Sequence, residues 1–194
     1  MSKVCFVSFE IHPVTVGGCG VLLYNSAHVL LEQGHQVILL LDMPKDRFDK
    51  FSPDIYPNSH NCKAYHLEEL CIDLPYLQED FLSFHIWRSY RFHWAVQKMV
   101  DLEQPDVVEF FDYNGVAHYA LSAKITQAAY KDTHLAVRLH NSDQLMNLHQ
   151  PFSPLTHDYY LLYALEHSAL RFAETVLFPS QAYLNEAYKP YYEP

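Results

Sequence analysis

Six short apolar runs recur along this chain, and each is followed by a stretch of helical period or by a long connection. Strands joined by crossovers of that length run parallel, so the alternation restricts the fold to a layered α/β sheet. The runs are Lys3–Phe9, "HQVILLLD" at 35–42, "CKAYHL" at 62–67, "PDVVEFFD" at 105–112, "HLAVRLHN" at 134–141 and "TVLFPS" at 175–180. The first, Lys3–Phe9, is rich in Val and Phe, as in a strand buried on both faces. Between the first two, Leu23, Ala27, Leu30 and Leu31 repeat on one helix face while Asn25, His28 and Glu32 lie on another. Gly34 follows, where a left-handed residue ends a helix.

Further helices are expected over 78–100, 114–129 and 156–173, with a helical start at 142–147 and a short last helix capped by Ser180. In the first of these, Phe92, Ala95, Val96, Met99 and Val100 share a face; Trp87, Tyr90 and Trp94 form a second stripe, read as core. Residues 43–60 hold three prolines and read as a loop. The expected fold is therefore α/β: a Rossmann-like, doubly wound parallel sheet of about six strands with helices on both faces, one domain over 1–194. With 49% hydrophobic and 15% aromatic residues, such a chain buries on the order of 70% of its unfolded surface.

Composition removes several function classes. A formal net charge of -10 argues against nucleic acid or an anionic membrane as the main partner. No apolar run reaches the 18 residues of a membrane span, and the apolar stretch before Glu10 is too short for a leader, so no transmembrane segment is expected. Four scattered cysteines suggest reduced thiols in a cytosol. Thirteen histidines lack metal-ligand spacing, and no metal site is expected.

In a parallel α/β sheet, ligands bind beyond the carboxyl ends of the strands. There the sequence places Glu10 and the glycines 17, 18 and 20 after strand one, Asp112 after strand four, His140 and Asn141 after strand five and Ser180 after strand six. A carboxylate, an imidazole, an amide, a hydroxyl and free backbone N–H groups are thus expected on one rim. Gly17 and Gly18, having no Cβ, are expected to let a ligand approach the backbone at a helix N-terminus; a plain turn or a set of helix caps is the structural alternative. Gly18-x-Gly20 with Asp42 imitates a dinucleotide-binding fingerprint. However, Leu23 stands where its third glycine belongs, and seven residues, Glu10–Val16, separate strand one from Gly17.

Taken in order, the glycine pair, "GHQV" at 34–37, "PDVVEFFD", "VRLHN" and "FAETVLFPS" resemble the N-terminal domain of retaining GT-B glycosyltransferases, the group that includes glycogen and sucrose synthases. The likeness covers most of the chain. It implies transfer of a sugar from a nucleotide diphosphate donor to a saccharide or other hydroxyl acceptor, with retained configuration and without a metal or other cofactor. It further implies that His140 supports the transferred sugar and that Asp112 orients hydroxyls. Gly17 and Gly18 would offer amides to diphosphate or acceptor, and Glu10, Asn141 and Ser180 would line the same cleft. The chain departs from glycogen synthases at Thr15 and Val16, where they carry a lysine. GT-B enzymes also have a C-terminal nucleotide-sugar domain, expected here to be missing, so the piece alone is expected to be inactive. Acceptor choice is expected to lie in the aromatic helix and the loop 148–157, and Tyr188, Tyr191 and Tyr192 are read either as facing the missing domain or as part of a disordered tail. A non-catalytic saccharide- or nucleotide-binding module and an NAD-dependent enzyme are the alternatives.

Overall fold

A computed structural model of the chain describes residues 1–149 and 156–192. The strands are β1 (Lys3–Ser8), β2 (Gln36–Leu41), β3 (Cys62–His66), β4 (Val107–Phe111), β5 (His134–Arg138) and β6 (Thr175–Leu177), in one sheet of order β3-β2-β1-β4-β5-β6. β1 runs parallel to β2 and β4, β2 to β3, and β5 to β6. This is the α/β, Rossmann-like, all-parallel sheet that the apolar runs require. Its helices are α1 (Gly18–Glu32), α2 (Lys45–Phe48), α3 (Leu67–Leu70), α4 (Phe84–Glu103), α5 (His118–Gln127), α6 (Asp143–His149), α7 (His157–Phe172), α8 (Gln181–Tyr183) and α9 (Lys189–Tyr192). The chain divides into two compact units: Met1–Leu74 with Trp94–Phe110 and Tyr130–His134, and Pro75–His93 with Phe111–Ala129 and Leu135–Pro194.

In the first unit, Phe6, Val7 and Ile38–Leu41 are almost wholly buried. α1 covers them with Cys19, Leu23, Ala27 and Leu31, while Leu30, expected on that face, is only half-buried. The helix ends where Gly34 turns to φ +80°. The amides of Gly34 and His35 then close back on the carbonyls of Leu31 and Leu30, at 3.1 and 3.0 Å. Glu103 is buried at the end of α4 and fastens β3 by accepting hydrogen bonds from Lys63 Nζ at 2.6 Å and from the Tyr65 hydroxyl.

The structure departs from the sequence pattern at four places. The aromatic helix begins at Phe84 because the Ser83 hydroxyl accepts from the Ile86 amide at 3.2 Å and caps it there; 78–80 is a separate 3-10 turn. Of its two stripes, Phe92, Ala95, Val96 and Met99 are fully buried, whereas Trp87, Tyr90 and Trp94 are only half-buried. The helix expected from 114 starts instead at His118, because Asn114 and Gly115 adopt φ of 62° and 59° and break the turn. The loop 43–60 contains α2 and two 3-10 turns, and residues 150–155 of the loop 148–157 lie outside the described residues.

Gly115 is packed closely against α7 in the second unit. A Cβ there would sit 2.5 Å from the Leu165 Cβ, on a backbone already in the left-handed region. Gly115→Ala is expected to lower stability by roughly 1–3 kcal/mol in urea unfolding at 25 °C. A loss below about 0.5 kcal/mol would mean that α7 is not held against this turn.

Candidate functional site

In the second unit the site is built on the turn that follows β5. Asp112 leaves the end of β4, and its amide donates to the Arg138 carbonyl at 3.0 Å. Its carboxylate is 1% exposed. Oδ1 accepts from the amides of His140 at 3.0 Å and Asn141 at 3.4 Å, and Oδ2 accepts from the Tyr188 hydroxyl at 3.0 Å. Burial pushes the Asp112 carboxyl up to about 6, against the opposing pull of these three donors. The carbonyl of His140 accepts from the Tyr183 hydroxyl at 2.8 Å. The His140 backbone is therefore held at both its N–H and its C=O, and its half-exposed ring stands edge-on to Phe111, centroids 6.2 Å apart.

A second carboxylate continues the restraint. Glu166 projects from the apolar face of α7 and is 0% exposed. It accepts from the amides of Asp143 at 2.8 Å and Gln144 at 3.3 Å, and from that of Asn114 at 3.2 Å. The amides of 140, 141, 143 and 144 thus all donate to two buried carboxylates. Asp143 also hydrogen-bonds to Glu166, which requires a proton on one of the two. Burial lifts both carboxyls above the usual range, and at Glu166 the neighbouring Asp143 charge adds to the effect. Arg88 Nη1 donates to the Asn114 side-chain oxygen at 2.9 Å, and the Asn114 side-chain NH₂ donates to Asp143 at 3.0 Å.

The glycine turn belongs to the first unit. The Ser8 hydroxyl bonds to the backbone of Glu10 at both its N–H and its C=O, at 3.0 and 2.9 Å. The Thr15 hydroxyl bonds in the same way to the backbone of Ile11. The Glu10 carboxylate then reaches back to the first turn of α1, where Oε2 accepts from the Gly20 amide at 3.1 Å. A Cβ on Gly17 would lie 2.0 Å from that same oxygen. Gly17 itself is extended, with φ 164°, so it is not a positive-φ turn that requires glycine here. The carboxylate of Glu10 fills the space that sequence reasoning gave to a ligand, and Gly18 is exposed beside it.

The structure therefore places Asp112, His140 and Asn141 in one cluster and Glu10 and Gly17 in another. The Asn141 side chain is exposed, its amide alone being held. Ser180 is exposed and caps α8, its hydroxyl accepting from the Tyr183 amide at 3.1 Å. Asp112 makes no side-chain cap; its donors come from the β5 turn and from Tyr188. The tyrosines expected on an exposed face are instead packed inward: Tyr188 is 3% exposed and stacks on Tyr192 with centroids 4.4 Å apart, against Leu139 and Leu145. The side chain of Tyr191 is not among those described. Sequence reasoning missed Glu166, although a carboxylate amid Leu162, Leu165 and Ala169 on one helix face was a visible signal.

The model of the family described as Glycosyltransferase Family 4 matches residues 16–191, nearly the whole chain. The chain belongs to glycosyltransferase family 4. This family 4 domain also resembles solved structures of plant proteins. With the apo UGT2 structure of Phytolacca americana it shares 12% identity at a TM-score of 0.50, covering 98% of this chain and 48% of that one, a likeness of fold. With UGT73P12 of Glycyrrhiza uralensis, complexed with glycyrrhetinic acid 3-O-monoglucuronide, the figures are 13%, 0.48, 98% and 46%. The chain spans about half the length of these structures. Among curated proteins, none matches its sequence. No described helix is long and apolar enough to cross a membrane.

Two outcomes test this geometry. Because burial raises the folded-state value of Asp112 from 3.8 to about 6, the unfolded chain releases this proton first. The contribution of the group is then greatest below pH 4 and falls, by roughly 3 kcal/mol, as pH rises to 6. Asp112→Asn removes that component, so the stability gap between wild type and variant is expected to narrow from pH 4.5 to pH 7.5 in urea titrations; a constant gap would show that the carboxyl is not shifted. In the first unit, Gly17→Ala is expected to cost 1–3 kcal/mol alone and under about 1 kcal/mol in a Glu10→Ala background. Equal costs in both backgrounds would separate Gly17 from the Glu10 carboxylate.

Proposed function

We propose that this family 4 domain is the acceptor-side half of a retaining, hexosyltransferase-type enzyme, moving a sugar from a nucleoside diphosphate to an acceptor hydroxyl. A C-terminal domain would supply most of the donor site. The observation that supports this reading is the fixation of His140: a half-exposed imidazole at a strand end, with its backbone N–H held by Asp112 and its C=O by Tyr183. Glycosyl transfer passes through an oxocarbenium-like transition state, and a polar group already in place stabilises it without reorganisation. His140 supplies that group through its ring. Asp112, closed to solvent, is a positioning residue in this reading: it touches no hydroxyl and sets where the imidazole stands. Asn141, next in the chain and exposed, is placed to bond a sugar hydroxyl. Glu10 serves the acceptor from its own unit, with the exposed Gly18 beside it. No metal or cofactor is assigned a role.

In the complete enzyme, His140→Ala is expected to lower kcat by about 10²-fold or more, with circular dichroism and Tm unchanged. The chain 1–194 alone is expected to show little transfer from nucleotide sugars. Undiminished turnover by the His140 variant, or robust turnover by the isolated chain, would overturn the corresponding statement.

A further inference from the structure

A cleft of 760 Å3 lies wholly within the first unit. Glu10, Pro13, Val14 and Val16 of the glycine turn line it together with Arg47 and Lys50. That volume falls in the range of small-molecule sites, roughly 300–1,000 Å3.

Its charges are arranged unusually for a chain of net charge -10. Several lysines of this unit are paired: Lys45 with Asp49 and Glu69, Lys63 with Glu103, Lys98 with Asp73. The Arg47 guanidinium, in contrast, has no ion-pair or hydrogen-bond partner among the described residues. Lys50 stands 3.8 Å from Asp46 in an exposed pair, an arrangement that holds a lysine only weakly. Two exposed cations three residues apart, one without an ion-pair partner among the described residues and one only weakly paired, thus line one concavity. A guanidinium fork beside an ammonium suits a tetrahedral oxyanion, which offers oxygens to both.

Glu10 brings the opposite charge to the same lining. Glu10 gives one oxygen to the Gly20 amide, and its Oε1 has no hydrogen-bond partner among the described residues. A carboxylate oxygen so placed accepts from hydroxyls and repels a second anion. Pro13, Val14 and the wholly exposed side chain of Val16 add apolar surface to the lining, of the kind on which the C–H face of a sugar ring rests. A simple anion would use only the two cations of this cleft, and a neutral sugar only the carboxylate and the apolar surface.

We propose that this cleft binds a phosphate ester of a sugar or polyol, its phosphate at Arg47 and Lys50 and its hydroxyls at Glu10. As an acceptor site this rests on the transferase reading, while as a binding site it stands without it. Both cations are exposed, so Arg47→Gln/Lys50→Gln leaves the fold intact and can be checked by an unchanged Tm. The test is a titration of the chain at fixed ionic strength with glucose 6-phosphate, glucose, glucuronate and UDP, read by amide chemical shifts and calorimetry. Saturable shifts at 13–16 and 47–50 are expected with glucose 6-phosphate. Affinity for it should fall about tenfold or more, some 1.4 kcal/mol, in the double variant, and glucose should bind at least about tenfold more weakly than its phosphate. Unchanged affinity in the double variant overturns the site. Equal affinity for glucuronate overturns the phosphate, and equal affinity for UDP at the same amides assigns the site to a donor diphosphate and overturns the sugar phosphate. No turnover is read, so failure of transfer in the complete enzyme leaves this result untouched.

Discussion

A buried carboxylate is tolerated only when donors surround it, and the second unit is organised around two that are. Asp112 and Glu166 come from different elements, the end of β4 and the middle of α7, and both spend their lone pairs on the backbone that follows β5. Removing either leaves several amides without partners inside the protein, which costs more than any single hydrogen bond contributes. The tyrosines of the C-terminal segment complete the arrangement. Tyr188 donates to Asp112 and Tyr183 to the carbonyl of His140. Burial, with the Asp112 charge next in weight, raises both phenols well above their ordinary value, so each keeps the proton it donates.

The first unit solves a similar problem with fewer parts. Residues 8–20 leave a strand and enter a helix, and several of their polar groups bond to one another: Ser8 to Glu10, Thr15 to Ile11, Glu10 to Gly20. The scarcity of glycine in this chain, five residues in all, makes its concentration here informative. The absence of a Cβ at Gly17 makes room for a side chain of the same loop. The turn is consequently a preformed wall with one carboxylate oxygen left over.

How much of this could be read beforehand depended on the range of the interaction. The strands were legible to within a residue or two because unbroken Val, Ile and Leu runs have one reading in a parallel sheet, and α1 because its period and Gly34 agree. The start of α5 was not, since nothing in "DYNGVAH" announces that Asn114 as well as Gly115 turns left-handed. Asp112 and His140 stood out as strand-end residues, but a short polar side chain after a strand reads equally as a helix cap. Only the fold shows that its donors lie 28, 29 and 76 residues away. Glu166 was visible as an anomaly on an apolar helix face, yet its partners, up to 52 residues distant, follow from packing and not from any local pattern. The inward tyrosines failed for the same reason: aromatic residues near a chain end look alike whether they cover a core or await one.

The restraint on the β5 turn acts on main-chain atoms. Asp112 grips the peptide N–H of positions 140 and 141, which every residue but proline possesses, and ignores what their side chains are. Histidine and asparagine could therefore be exchanged for other residues without loosening the loop. The shape of this turn is set by the scaffold, so side chains at these two positions can change without the domain first having to survive unfolding.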